Sequence, residues 1–251
     1  MINSELLSRL KESLVEEHTV ALITFLEGPI RGMKVLAWPD GSFLGGALRP
    51  DIQEQIEATL KDVFGALKPR RTTIETGEEK HELFIEVYPP PPRLIMVGAV
   101  HIAIPLTRFA RELGFRTIII DPRPVFATRD RFAEADELII GWPQEVLTES
   151  SFNDSTFLVV LSHDPKLDNP ALKLALNSNC RYIGALGSRK THSRRIKALK
   201  EEGLTDAQIA RIHAPIGLDL GGRKPEDVAV SIIAEIVAVQ NGRVMQRSAV
   251  S

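Results

Sequence analysis

Cysteine is almost absent from the 251-residue chain, where Cys180 stands alone. A single thiol excludes an intramolecular disulfide framework and any multi-cysteine zinc site. A surplus of one charge is also missing. The 31 Lys and Arg against 33 Asp and Glu leave a formal net charge of -2, and the pI is about 6.3. That balance argues against general nucleic-acid or anionic-membrane binding, which needs an excess of cations. No apolar run approaches the roughly 20 residues needed to span a bilayer. Met1 to Leu10 mixes charges among its leucines and lacks the basic-then-apolar layout of a signal peptide. The expectation is a cytoplasmic protein with neither nucleic acid nor membrane as a partner. Internal repeats and low-complexity tracts are lacking too. What remains is ordinary globular material, 43% hydrophobic and 25% charged, long enough for one large domain or two modest ones.

Tyr88-Pro89-Pro90-Pro91-Pro92 is the clearest boundary. Consecutive prolines lack N–H donors and favour polyproline geometry, so neither a helix nor a central strand can pass through them. The expected division is a small α+β domain over residues 1–88, a linker at 89–92 and a second domain over 93–251. In the first, Ser4 can cap a helix with Leu6, Leu7, Leu10 and Leu14 on one face. Strands are expected over Thr19–Phe25, Met33–Ala37 and Ser42–Leu44, a helix over Asp51–Phe64, and a half-buried strand over His81–Val87. After the prolines the rhythm changes. Apolar runs at Arg93–Val97, Arg116–Ile120, Glu137–Ile140, Phe157–Leu161 and Arg181–Ile183 alternate with helix-length segments, among them His101–Leu113 and Glu226–Gln240. That alternation implies right-handed βαβ crossovers, a Rossmann-like doubly wound parallel sheet.

In such a sheet ligands bind beyond the carboxyl ends of the strands, so four loops carry the candidate chemistry. Gly98-Ala99-Val100-His101-Ile102-Ala103 sits where a dinucleotide fingerprint belongs, but Val100 replaces the glycine that lets a pyrophosphate approach the backbone. Asp121, ending the next strand, stands where an acid would hold a ribose hydroxyl; Arg123 just beyond could accept a 2′-phosphate. A tight turn without a ligand is the plainer alternative. Ser162-His163-Asp164-Pro165-Lys166-Leu167-Asp168 brings a histidine and two acids to a strand end, able to orient a substrate or simply to cap a turn. Gly184-Ala185-Leu186-Gly187-Ser188-Arg189-Lys190-Thr191 puts Arg189 and Lys190 in the first turn of a helix. Cations are disfavoured there, and a bound anion would resolve the conflict. The other reading makes Arg189, Lys190, Arg194 and Arg195 a solvated face. The fourth loop, His213 to Asp227, combines Asp219, Gly221 and Gly222 with basic residues before Pro225. Cys180 is read as packing, and His18 and His81 have no ligand-like companions in sequence.

Three of these stretches, Ser162 to Asp168, Tyr182 to Thr191 and Arg211 to Gly221, resemble the xanthine dehydrogenase accessory factor (XdhC/CoxI) family. The likeness is strong through the C-terminal domain and weaker before it. It implies an accessory protein rather than an enzyme, one that binds the molybdenum cofactor (molybdopterin) and delivers it to an apo-molybdoenzyme of the xanthine dehydrogenase type. It also implies a cysteine desulfurase as a second partner, and a homodimer. Gly98, Val100, His101, Asp121, His163, Asp164, Gly187, Ser188, Arg189, Asp219 and Gly221 are the cofactor-binding candidates that follow. Two departures stand out. Val100 replaces the third residue of the family's Gly-Ala-Gly-His, and Ala47 and Arg49 replace the cysteine and the acid of its Gly-Gly-Cys-Val-Glu segment. Sulfur chemistry through that cysteine is therefore closed to this chain. Two rival readings remain open: an NAD(P)-dependent oxidoreductase, and an interaction scaffold that keeps the fold without a ligand.

Overall fold

The computed structural model describes residues 4–243 and divides into two compact units between Pro90 and Pro91. The first holds α1 (Ser4–Val15), β1 (Val20–Glu27), β2 (Lys34–Ala37), β3 (Phe43–Leu44), α2 (Pro50–Ala66), β4 (Arg70–Thr76) and β5 (Glu79–Tyr88). Its antiparallel sheet runs β3-β2-β1-β5-β4. β1 alternates between two cores. Ala21, Ile23 and Phe25 meet Ile52, Ile56, Leu60 and Val63 of α2, whereas Val20 and Leu22 meet Leu6 and Leu10 of α1. With a helix on each face, a strand of period two buries successive residues, here Val20 to Ile23 and again Phe25.

Two expectations need correction here. Leu7 and Leu14 lie exposed on α1, and the buried stripe is Leu6, Leu10 and Ser13. Ser13 is drawn inward because its Oγ accepts the Trp38 indole N–H at 3.0 Å, a donor that burial would otherwise leave unsatisfied. β4 was unexpected. Its Arg-Arg-Thr-Thr-Ile-Glu-Thr has little apolar alternation, which suits an edge strand that must discourage further pairing.

The second unit holds β6 (Arg93–Val97), α3 (Ala103–Glu112), β7 (Arg116–Ile120), β8 (Glu137–Ile139), α4 (Pro143–Val146), β9 (Thr156–Val160), α5 (Pro165–Leu176), β10 (Tyr182–Ala185), α6 (Arg189–Glu201), α7 (Asp206–Ile209), β11 (Ile212–His213) and α8 (Pro225–Gln240). All six strands are parallel, in the order β11-β10-β9-β6-β7-β8. One core joins α3 and α8 to the sheet through Leu106, Ala110, Ile232 and Ile236; the other uses Leu167, Ala171 and Leu172 of α5 with Leu199 of α6. Helices on both faces explain why β6 and β9 are almost continuously apolar. The two-residue β11 was not expected. β10 begins at Tyr182 rather than Arg181, and α3 begins at Ala103 rather than His101.

Candidate functional site

From β6 the chain moves outward to β7 and β8, then returns so that β9 pairs with the other side of β6. The turns after β6 and β9 therefore face each other at the topological switch point, where open α/β sheets bind ligands. Gly98 makes this approach possible. Its φ is +108°, and a Cβ there would come within 2.9 Å of the Ser162 backbone nitrogen. Only glycine meets both demands.

The acid at the end of β7 does not play the part expected of it. Asp121 is fully buried; its Oδ2 accepts from the Ala99 amide at 2.7 Å and Arg123 Nη2 at 2.7 Å, and its Oδ1 from Arg123 N and Nε, each at 2.9 Å. Burial pushes its pKa up, but these donors outweigh that and leave it below the usual carboxylate range. With Arg123 two residues away, the carboxylate is consumed in holding the Gly98 turn and is not offered to a ribose. Arg123 itself lies over the Phe126 ring, 4.6 Å from its centroid, and its hydrogen bond to Asp121, followed by the charges of Asp121 and Asp164, raises its pKa. Arg131 Nη1 closes the turn from its other side, donating to Ala99 O at 3.1 Å. Val100 packs against the core while His101 is exposed.

In the turn after β9, Asp164 caps α5, its Oδ1 accepting the Lys166 amide at 2.9 Å, and His163 is exposed with φ +60°. Asp168 is the acid that turns inward. Its Oδ1 accepts from Ser162 Oγ at 2.6 Å and its Oδ2 from Arg195 Nη2 at 3.1 Å. Burial holds Asp168 above the usual carboxylate range, against the pull of Ser162 and Arg195. Arg195 also donates to Leu186 O at 3.2 Å, so one buried ion pair ties the β9 turn to the β10 turn. The solvated-face reading thus fails for Arg195, while Arg189, Lys190 and Arg194 are exposed or partly so. Sequence reasoning missed the pair because its members lie 27 positions apart.

Ser188 Oγ accepts the Thr191 amide at 3.2 Å and caps α6. The first turn of that helix contains no acidic residue and begins Arg189-Lys190. Gly187 adopts φ +140° beside Thr191. After β11, Asp219 Oδ1 accepts the Gly221 amide at 3.3 Å in an exposed turn. The turns bearing Gly98, His163 and Ser188 follow the adjacent parallel strands β6, β9 and β10, so they share one rim.

A third buried carboxylate, Glu235, escaped the sequence reading altogether. Glu235 of α8 accepts from Tyr182 Oη at 2.5 Å, His213 Nδ1 at 3.1 Å and the Gly217 amide at 2.8 Å. Burial raises its pKa, but the three donors prevail and hold it at about 2. The signal in the sequence was a lone Glu within Ile232-Ile233-Ala234-Glu235-Ile236, because a charge on an apolar helix face needs a buried partner. Cys180, by contrast, is packing material: burial pushes its thiol up to about 12. Among the described residues no group of three or more His, Cys, Asp or Glu could hold a metal ion, and no helix is long and apolar enough to cross a membrane.

Strand order and switch-point turn define a Rossmann-type protein whose candidate turns gather at the carboxyl ends of β6, β9, β10 and β11. The family follows from the sequence of that unit. Residues 94–236 match the XdhC Rossmann domain, more than half of the chain, and the protein belongs to that family. It is 33% identical over 160 residues to a probable xanthine dehydrogenase subunit of Bacillus subtilis, covering 64% of this chain and 46% of that protein. It is 32% identical over 91 residues to the molybdenum cofactor insertion chaperone PaoD of Escherichia coli K12, covering 36% of this chain and 29% of that protein. The chain spans less than half the length of these curated relatives. A solved structure described as a xanthine dehydrogenase from Bacillus halodurans superposes with a TM-score of 0.68 at 25% identity, over 96% of this chain and 68% of that one.

Proposed function

We propose that this protein is a molybdenum cofactor-binding accessory protein serving the maturation of a xanthine dehydrogenase-type molybdoenzyme. The observation that carries the reading is the start of α6. Arg189 and Lys190 open a capped helix whose first turn has no acidic residue, at a rim that the Gly98 and Ser162 turns also reach. Partial positive charge from the helix and full charge from the side chains add there, and an anion stabilises both. The names of the relatives, a dehydrogenase subunit and a cofactor insertion chaperone, point the same way.

The donor set fits the phosphate-bearing end of such a cofactor. It offers no thiolate for molybdenum: Cys180 is buried and protonated, and Ala47 occupies the family's cysteine position on an exposed stretch of the first unit. Arg49 replaces the family acid and is held by Asp51 and Glu79 on the surface. The role therefore consists of holding and handing over the cofactor, without sulfur transfer through this chain. The dinucleotide reading has the strand order in its favour, but the buried, fully engaged Asp121 removes its ribose contact.

Equilibrating the purified protein with molybdenum cofactor and measuring retention after gel filtration tests this. Wild type should retain the cofactor, and Arg189→Ala should bind roughly tenfold more weakly. Wild-type retention no better than that of an unrelated protein would reject the proposal.

A further inference from the structure

The Tyr182–Glu235–His213 cluster is not used by the anion-binding rim just described, and its geometry exceeds what packing requires. Tyr182 and the Gly217 amide already fasten Glu235 to β10 and to the loop after β11. The imidazole of His213 is added to this, with Nδ1 toward the carboxylate and its ring stacked on Tyr182, centroids 4.5 Å apart and planes inclined by 38°. Glu235 is 3% exposed, whereas the His213 side chain is 30% exposed. Its Nε2 has no hydrogen-bond partner among the described residues and is not among the buried polar atoms. An ionised carboxylate can only accept, so Nδ1 carries the proton, and in the neutral form of such a ring the lone pair lies at Nε2. His213 pairs in register with Gly184 and ends β11, at the same carboxyl rim as the Gly98 turn.

We propose that His213 is a ligand-binding residue whose Nε2 accepts a hydrogen bond from a ring N–H or exocyclic amine of a nitrogen heterocycle lying along the β9–β11 half of the rim. Glu235 is its positioning residue, fixing both tautomer and ring orientation as carboxylates do behind functional imidazoles. A lone pair backed by a buried negative charge repels an anion and complements an N–H edge. This separates the position chemically from the cationic start of α6. One guest could use both, its phosphate at α6 and its heterocycle at His213. The inference rests on the proposed function only for the rim as the place of binding; the heterocycle can belong to a pterin, a nucleobase or a nicotinamide.

His213→Asn separates the roles, since its amide N–H₂ can still reach Glu235 while the Nε2 acceptor is lost. Molybdenum cofactor, NADH, GMP and inorganic phosphate would be titrated separately, following affinity and the imidazole ¹⁵N resonances of His213. At least one heterocyclic probe should shift Nε2 in wild type and bind about tenfold more weakly to His213→Asn at an unchanged thermal midpoint. If NADH or GMP does so while molybdenum cofactor is not retained, the proposed function falls and this inference stands. Should His213→Asn lose thermal stability, the wild-type Nε2 shift alone decides. The proposal is overturned if no heterocyclic probe moves Nε2, if a stable His213→Asn binds every probe like wild type, or if phosphate alone moves it.

Discussion

In the antiparallel unit the ion pairs lie on the surface: Arg49 with Asp51 and Glu79, Arg71 with Glu82, Lys80 with Glu75. In the parallel unit Asp121, Asp168 and Glu235 are buried, each beside the carboxyl end of a strand and each held by several donors. Among the described residues all the buried carboxylates belong to that second unit. The contrast follows from what the two sheets must do. The antiparallel unit closes with apolar residues from α1 and α2, and water screens its charges. The parallel unit must hold irregular turns close together at one rim, and buried charge–dipole contacts fix backbone that no strand or helix ladder can fix.

Breaking the Asp168–Arg195 pair should test that contrast hardest. Asp168→Ala leaves a guanidinium buried without its counter-charge, with an expected cost of about 3–5 kcal/mol. Denaturation would be followed by Trp142 fluorescence in a Trp38→Phe background, which confines the signal to the second unit. A loss under about 1 kcal/mol would mean that water or a neighbour replaces the carboxylate and that the pair does not hold the rim. Asp121→Asn comes next. It weakens the contacts to Ala99 and Arg123 and should cost about 2 kcal/mol. The same fluorescence measurement reads it, and faster amide exchange at Ala99 would locate the damage in the Gly98 turn.

Lowering the pH sharpens the comparison without a mutation. Glu235 falls from an ordinary 4.5 to about 2 in the folded protein, so its stabilisation is complete above pH 4.5 and is lost as the pH drops toward 2. Asp121, also lowered, acts in the same direction. Trp142-monitored stability should decline by roughly 2 kcal/mol or more across that window, and Glu235→Gln should flatten the slope. An unchanged slope in that variant would show that Glu235 does not titrate as described. The smallest effect belongs to the antiparallel unit: Arg71→Ala breaks an exposed pair and should leave the denaturation midpoint of Trp38 unchanged. A clear shift there would erase the distinction between the units.

Much of the second unit was legible beforehand because its strands are short apolar runs ended by turn residues such as Gly98 after β6, whereas the use of Asp121 after β7, read as a ribose contact, lies instead in holding that turn. β4 was hidden by its charged edge composition, and β11 by its length of two residues. The rim turns could be located because they follow strands. Which of their side chains turn inward could not: Asp164 and Asp168 are indistinguishable in sequence, yet one caps a helix in solvent and the other anchors Arg195.

Local pattern by itself determined the alternation of strands and helices and the break at the prolines, since each depends on neighbours a few positions away. The partners of the charged groups were decided only when the chain folded. Asp168 meets Arg195 across 27 positions and Glu235 meets Tyr182 across 53. A carboxylate becomes buried, ionised and directive only where donors from separate elements converge on it, and that convergence is a property of the packed sheet rather than of any segment of sequence.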